Sequence, residues 1–495
     1  MFYGCRLSIK KIKIKEKVII MKKKILSLAC ASLVLAIPLS ACTPAGNTDD
    51  KWWSTEGELV KNGEEIVFND VSLRLYTLVA GEDKTAFNQL IAQFNREYSG
   101  KISISVSTEV GGSFEDYFAQ SIKNNLKTAP DIVMAHQNSL KSFVGYKLVQ
   151  PLDEAMEETG VTFDLNAFST GINQYSNADT DYNFGVPADA ASMVVYYNKE
   201  LLARYSETVP SNREELIEVC EAYANATKSI PISWATGGDF FAEYIMPTAI
   251  YQNGGYLYKD DLRVDWYDNA EQREIYKNAI ASVREFVNHT PKLAEKGVSD
   301  AGALKAFREN KALFYVGMPW NLESICEGYA AENGCTAEVA KTEKIGATSI
   351  EKWFALDSEK DYANKIYCDS HAFSLTSKVK DITQKAAVLE FIKWFTTRGD
   401  VGAAWAEAGH ISISNAINGN SEYTENVTVN QYINKWYPDI NALNTMGSTP
   451  YYADLAKSMR SILSEGFLAN DDSGDEALIR SKQNEFNSNI DWVEM

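Results

Sequence analysis

The chain has 495 residues, with 67 acidic against 48 basic side chains and a formal charge of −19. That balance repels phosphate backbones and anionic headgroups, which argues against nucleic-acid binding and a polybasic membrane mode. One core rarely supports this length, so two bodies of roughly 150 to 250 residues are expected.

Lys22, Lys23 and Lys24 open an apolar run from Ile25 to Leu39 that ends in Leu39-Ser40-Ala41-Cys42. A basic start, an apolar stretch too short to span a bilayer with ease and small residues at the cut define a cleaved export signal over residues 1–41. The last four residues resemble a bacterial lipobox, which is cut before the cysteine, whose thiol carries a diacylglycerol. Cys42 is then the first mature residue, lipid-anchored on the outer face of the cell membrane. Met21 begins a complete signal by itself and is an alternative start. Residues 1–41 hold nine of the 48 Lys and Arg and one of the 67 Asp and Glu, leaving 39 basic against 66 acidic residues and a charge of −27. No second apolar run reaches spanning length. Cys220, Cys326, Cys335 and Cys368 remain after the lipid site, too scattered for a disulfide scaffold; a Cys326–Cys335 bridge and free thiols both stay open.

Residues 42–65 are polar with turn formers and read as the lipidated cysteine and a flexible tether. Val71, Leu73 and Leu75 alternate with polar residues as in a strand, and Phe87, Leu90, Ile91 and Phe94 then repeat at helical spacing after a capping Asp83. Ile102, Ile104 and Val106 form a second strand, residues 114–126 a polar helix and Asp131–Met134 a third strand. This βαβαβ order implies a mostly parallel sheet with its crevice beyond the carboxyl ends of the strands. Met193–Tyr197 and Ala312–Val316 read as buried strands. Val388, Phe391, Ile392 and Phe395 mark an amphipathic helix opened by Asp381, with Gln384 three residues on. No solenoid or propeller repeat is present.

Several segments then carry a resemblance: Phe94-Asn95-Arg96-Glu97-Tyr98, Ala129-Pro130-Asp131-Ile132-Val133, Leu148-Val149-Gln150-Pro151-Leu152-Asp153, and Gly185-Val186-Pro187 leading into Tyr196-Tyr197-Asn198-Lys199-Glu200-Leu201. Further on come Phe307-Arg308-Glu309-Asn310-Lys311-Ala312, Gly317-Met318-Pro319-Trp320 and Glu476-Ala477-Leu478. In this order the chain resembles the extracellular solute-binding proteins of ABC importers, in the group of maltose and oligosaccharide binders, over nearly all of residues 66–495. One departure is Ser412 in Gly409-His410-Ile411-Ser412, where the family commonly has Pro. The resemblance implies two doubly wound α/β lobes, periplasmic-binding-protein-like of type II, with the ligand in the cleft between them. Residues 66–187 plus 368–425 would form the N-terminal lobe and 188–367 plus 426–495 the C-terminal lobe. A ligand touching both lobes would stabilise a closed form for the importer's membrane subunits to read.

A sugar cleft needs flat rings for stacking and planar polar groups for paired hydrogen bonds. By the resemblance Trp320 sits where an aromatic ring stacks on the sugar. Trp234, beside Gly237, Gly238 and Asp239, is the second aromatic candidate; both residue types also build cores. Glu82 and Asp83 follow the first strand, and His136, Gln137 and Asn138 follow the third, at positions that open onto the crevice. For Asp83 helix capping competes with ligand contact, and Asp189 either bonds a hydroxyl or orders the hinge. No His-Glu-x-x-His, Gly-x-Ser-x-Gly, Cys-x-x-Cys or phosphate loop is present, so enzyme readings lack their residues. The reading is a monomeric, non-enzymatic carbohydrate binder without cofactor or metal. Its alternatives are a surface glycoside hydrolase using paired carboxylates and a binder of a peptide or polyamine.

Overall fold

In a computed structural model the Val71–Leu75 alternation forms β1 (Val71–Thr77), with Leu73 and Leu75 buried and Ser72 and Arg74 facing water. Helix α1 (Asp83–Glu97) buries Phe87, Leu90, Ile91 and Phe94 along one stripe. Then follow β2 (Ile102–Ser107), α2 (Phe114–Lys123), β3 (Ile132–His136) and the short β4 (Val186–Pro187). A second series comprises β5 (Val194–Asn198), β6 (Ile232–Trp234), α3 (Asp239–Gln252), β7 (Phe314–Gly317), α4 (Leu322–Asn333) and β8 (Ile345–Thr348). The chain returns through β9 (His371–Leu375) into α5 (Ile382–Thr397), α6 (Gly399–Glu407) and, near its end, α7 (Tyr452–Leu468). Asp381 caps α5 by accepting from the Gln384 N–H at 2.9 Å. The described residues are 51–494 except 81–82, 109–113, 169–181, 259–262, 447–448 and 450, so the export signal, Cys42 and Glu82 lie outside them.

Two sheets result. The first runs β2-β1-β3-β9-β4, with β1 parallel to β2 and β3, and β9 antiparallel to β3 and β4. The second runs β8-β5-β7-β6. There only β6 and β7 pair in parallel, while β5 is antiparallel to both β7 and β8. The mostly parallel expectation therefore holds only for the β1, β2 and β3 part. Parallel neighbours need a crossover connection, which α1 and α2 supply between β1, β2 and β3, whereas β5 enters the second sheet directly from the segment after β4 and runs against both its neighbours.

Three segments lace the two sheets together. Ala190 and Ile411 exchange backbone hydrogen bonds at 3.0 and 3.1 Å, Ala191 and Asp369 do so at 2.9 Å each, and Ala188 N–H donates to His371 O at 2.7 Å. Residues 188–191, 369–371 and 410–411 thus lie side by side. The turns Asn415–Asn418 and Ser421–Thr424 rest on α5 and α6, and Val429–Ile433 contacts both α6 and β8.

Composition hid one feature of the segment read as tether. Trp52 stacks on Phe184 at 6.0 Å and 9°, and its indole donates to Val149 O at 2.8 Å. Glu56 exchanges backbone hydrogen bonds with Lys380 and Ile382, and Lys385, 1% exposed, donates to Thr55 Oγ1 at 2.6 Å. Residues 52–56 are therefore packed, because two tryptophans in a polar stretch find apolar partners nearly a hundred residues or more away.

Candidate functional site

The lacing segments carry an unusual set of side chains. Asp189, two residues past the end of β4, is fully buried. Its Oδ1 accepts from the His371 backbone N–H at 3.0 Å and from His371 Nδ1 at 2.9 Å. Its Oδ2 accepts from Trp405 Nε1 at 2.8 Å and lies 3.0 Å from His410 Nδ1. The other nitrogen of His410, Nε2, meets Asp83 Oδ2 at 3.1 Å, and its ring lies flat on Trp405 at 4.0 Å and 6°. Both nitrogens of a buried imidazole thus face carboxylates, the environment of an imidazolium. Burial opposes charge on His410, but Asp189 and then Asp83 outweigh it and raise its pKa to about 9. Burial likewise works to raise the pKa of Asp189, yet the two histidines hold it well below the usual carboxylate range.

The same crossing holds a second pair. His136, at the end of β3, is ion-paired with Asp369; burial works against its charge, but the Asp369 carboxylate raises its pKa to about 9. Asp369 Oδ1 also accepts from the Ser370 N–H at 2.8 Å and from Asn138 Nδ2 at 3.3 Å. The rings of His136 and His410 stand 5.3 and 5.5 Å from that of His371. Ligand atoms of Asp189, His371 and His410 lie within 4.8 Å of one another, a spacing seen around divalent cations. Both Asp189 oxygens already accept from N–H groups, the His371 backbone on Oδ1 and the Trp405 indole on Oδ2.

Beside this node opens a pocket of about 680 Å³, within the range of small-molecule sites. The α1 face carrying Asp83, Gln89, Gln93 and Arg96 forms one wall with the end of α6, and Trp320 and Glu323 face it from the second sheet's side. Trp320 stands on a rigid turn. Met318 N–H donates to Asn321 Oδ1 at 3.0 Å, and the buried Tyr196 hydroxyl donates to Met318 O at 2.8 Å. The Trp320 ring is 6.2 Å and 23° from His410. Gly409 is required here. Its φ is +93°, and a Cβ would sit 2.5 Å from Pro319 C and 2.6 Å from Trp320 N.

The model of the bacterial extracellular solute-binding proteins matches residues 89–433, most of the chain. The chain belongs to that family. Its members bind solutes and are not enzymes, and their place is extracytoplasmic. A relative from Yersinia enterocolitica, the sn-glycerol-3-phosphate-binding periplasmic protein UgpB, is 22% identical over 401 residues, 78% of each chain. The Escherichia coli proteins of that name match at 23% or 24% over 179 residues, about a third of their length and of this chain. Among solved structures, the sugar-binding protein MalE of Xanthomonas citri superposes with a TM-score of 0.67 at 13% identity, covering 86% of this chain and 99% of the other. The GacH receptor of Streptomyces glaucescens gives 0.64 at 16% identity, covering 85% and 98%. These likenesses establish the fold: the two-lobed architecture of the maltose-binding type.

For this solute-binding protein the structure sorts the candidate residues. Trp320 and Asp83 line the same pocket. Asp189 is not on the pocket wall: it is fully buried, with its oxygens enclosed by His371, His410 and Trp405. Trp234 is corrected to core: it is 1% exposed and sits among Phe241, Phe286 and Phe354 at 4.7 to 6.0 Å. Gln137 and Asn138 are buried against the returning segment, not opened to the crevice, with Gln137 N–H donating to Ser370 O at 2.8 Å. His136 stays partly exposed, and Glu82 and Cys42 lie outside the described residues. Cys326 and Cys335 are free thiols. Sequence reasoning missed His371, Asp369, Trp405 and His410 as functional groups. The signal available was that two of only four histidines, His136 and His371, fall at a strand end or beside a proposed lobe boundary.

Proposed function

We propose that the protein is the lipid-anchored receptor of a carbohydrate importer, holding an oligosaccharide in the pocket between α1 and Trp320. Lobe closure would then present it, chemically unaltered, to the membrane subunits of an ABC transporter. The carrying observation is a flat indole on one wall facing amide and carboxylate side chains on the other. That pairing matches the C–H faces and hydroxyl rim of a sugar ring. One solved neighbour is described in complex with acarbose and another is named a cyclic α-maltosyl-1,6-maltose-binding protein, which supports the same ligand class. The curated relatives are named for sn-glycerol 3-phosphate. A dianionic phosphate suits this pocket poorly, because Asp83, Glu323 and Glu407 outnumber Arg96 along its walls. Cys42 and the signal before it support anchoring on the outer face of the membrane.

The test is a thermal-shift screen of the mature protein against oligosaccharides, glycerol 3-phosphate, polyamines and peptides. Binding to the folded state raises the midpoint by mass action. A shift confined to the saccharides supports the reading; a shift confined to glycerol 3-phosphate, a polyamine or a peptide overturns it.

A further inference from the structure

We propose that His410 is a charged positioning residue that ties the ligand pocket to the lobe crossing, and that ligand affinity therefore depends on its proton. The inference rests on the carbohydrate reading only for the identity of the ligand. The geometry stands by itself. Two pocket residues from different bodies meet at this one imidazole: Asp83, from the start of α1, on its Nε2 at 3.1 Å, and Trp320, from the turn before α4, beside its ring at 6.2 Å. The opposite nitrogen lies 3.0 Å from the Asp189 carboxylate in the segment after β4, and Trp405 of α6 stacks on the ring. The titratable groups facing it are thus Asp189 from the segment after β4, Asp83 from α1 and His371 from β9, whose ring lies 5.5 Å away.

The two carboxylates have opposite duties. Asp189 belongs to the hinge and Asp83 to the pocket, and a doubly protonated ring can donate to both at once. A neutral ring donates to only one. Losing the proton therefore releases either the hinge contact or the pocket carboxylate, and with it the fixed position of Asp83 across from Trp320. The backbone contact of Gly409 with Pro319 and Trp320 carries the same displacement to the stacking ring. The pocket is ordered while His410 carries charge, and the site loosens as alkaline pH removes it.

The experiment has two independent arms. Tryptophan fluorescence is titrated from about pH 6 to about pH 11 without ligand, because a protonated imidazole quenches an indole packed against it. Emission should rise in one step near the elevated His410 value, lose part of its amplitude in Trp320→Phe and Trp405→Phe, and vanish in His410→Gln. Calorimetry with the best saccharide from the screen should show affinity falling about tenfold between about pH 7 and about pH 10. His410→Gln should bind weakly and without that pH dependence. A wild-type emission profile flat across this range overturns the proposal, as does an unchanged step in His410→Gln. If His410→Gln does not fold, the wild-type profile and the two tryptophan variants decide alone. An emission step as described, with no saccharide bound at any pH, leaves the positioning role standing and refutes the carbohydrate reading instead.

Discussion

Replacing Asp189 by Ala removes the one anion beneath two imidazoles in a site with no solvent access. The substitution leaves three donors without their acceptor, the backbone N–H and Nδ1 of His371 and Trp405 Nε1, and removes the carboxylate that lies 3.0 Å from His410 Nδ1. Breaking a buried ion pair from one side costs about 3 to 5 kcal/mol, because the remaining charge stays buried and unpaired. Part of that is relieved if His410 gives up its proton, so about 4 kcal/mol is the working value. For bodies of roughly 150 to 250 residues each kcal/mol moves the midpoint by about 2 to 4 °C, so thermal unfolding followed by circular dichroism should fall by about 8 to 16 °C. Asp189→Asn keeps one acceptor oxygen and should lose about half as much. A midpoint for Asp189→Ala within about 2 °C of wild type would show that the crossing is held by its backbone hydrogen bonds and not by this carboxylate.

Trp320→Ala should weaken saccharide binding by about 1 to 3 kcal/mol with little change in thermal midpoint, as read by calorimetry and melting in parallel; a large midpoint loss with unaltered affinity would make the ring a core residue. Stability should also decline on the alkaline side. The folded pKa of His410 lies at about 9 against 6.5, so its contribution, on the order of 3 kcal/mol, is complete below about pH 6.5 and is lost as pH rises through about 9. Asp189 acts in the other direction: its lowered pKa gives stability that is present above the ordinary carboxylate range and is lost as pH falls through the depressed value. Urea midpoints from about pH 4 to about pH 10 should therefore form a plateau with an alkaline slope that shrinks in His410→Gln; an unchanged slope in that variant would assign the decline to other groups.

Much of the fold was readable because its signals are local. The alternation of Val71, Leu73 and Leu75, the stripe Phe87, Leu90, Ile91 and Phe94 and the Asp381 cap each lie within one element, and each recurs in the structure. The site was readable only where a neighbour in sequence gave it away. Trp320 follows a buried strand through Gly317 and Pro319, and it does reach the pocket. Trp234 sits beside two glycines that suggested an open loop, yet its ring is covered by Phe286 and Phe354, 52 and 120 positions away. The Asp189 node was least legible of all, because its bonds to His371 and Trp405 span 182 and 216 residues and that from His410 to Asp83 spans 327. No periodicity reports contacts across such distances; segments 188–191, 369–371 and 410–411 have to be brought side by side before these groups meet.

The central claim is capture of a carbohydrate without bond chemistry, and calorimetric titration of the mature protein with purified oligosaccharides, followed by chromatography of the recovered ligand, tests it most directly. One saturable site per chain for at least one oligosaccharide, a weaker response in Trp320→Ala and full recovery of intact sugar are the expected results. Release of shortened saccharide during the titration, or heat from glycerol 3-phosphate with none from any sugar, would contradict the account.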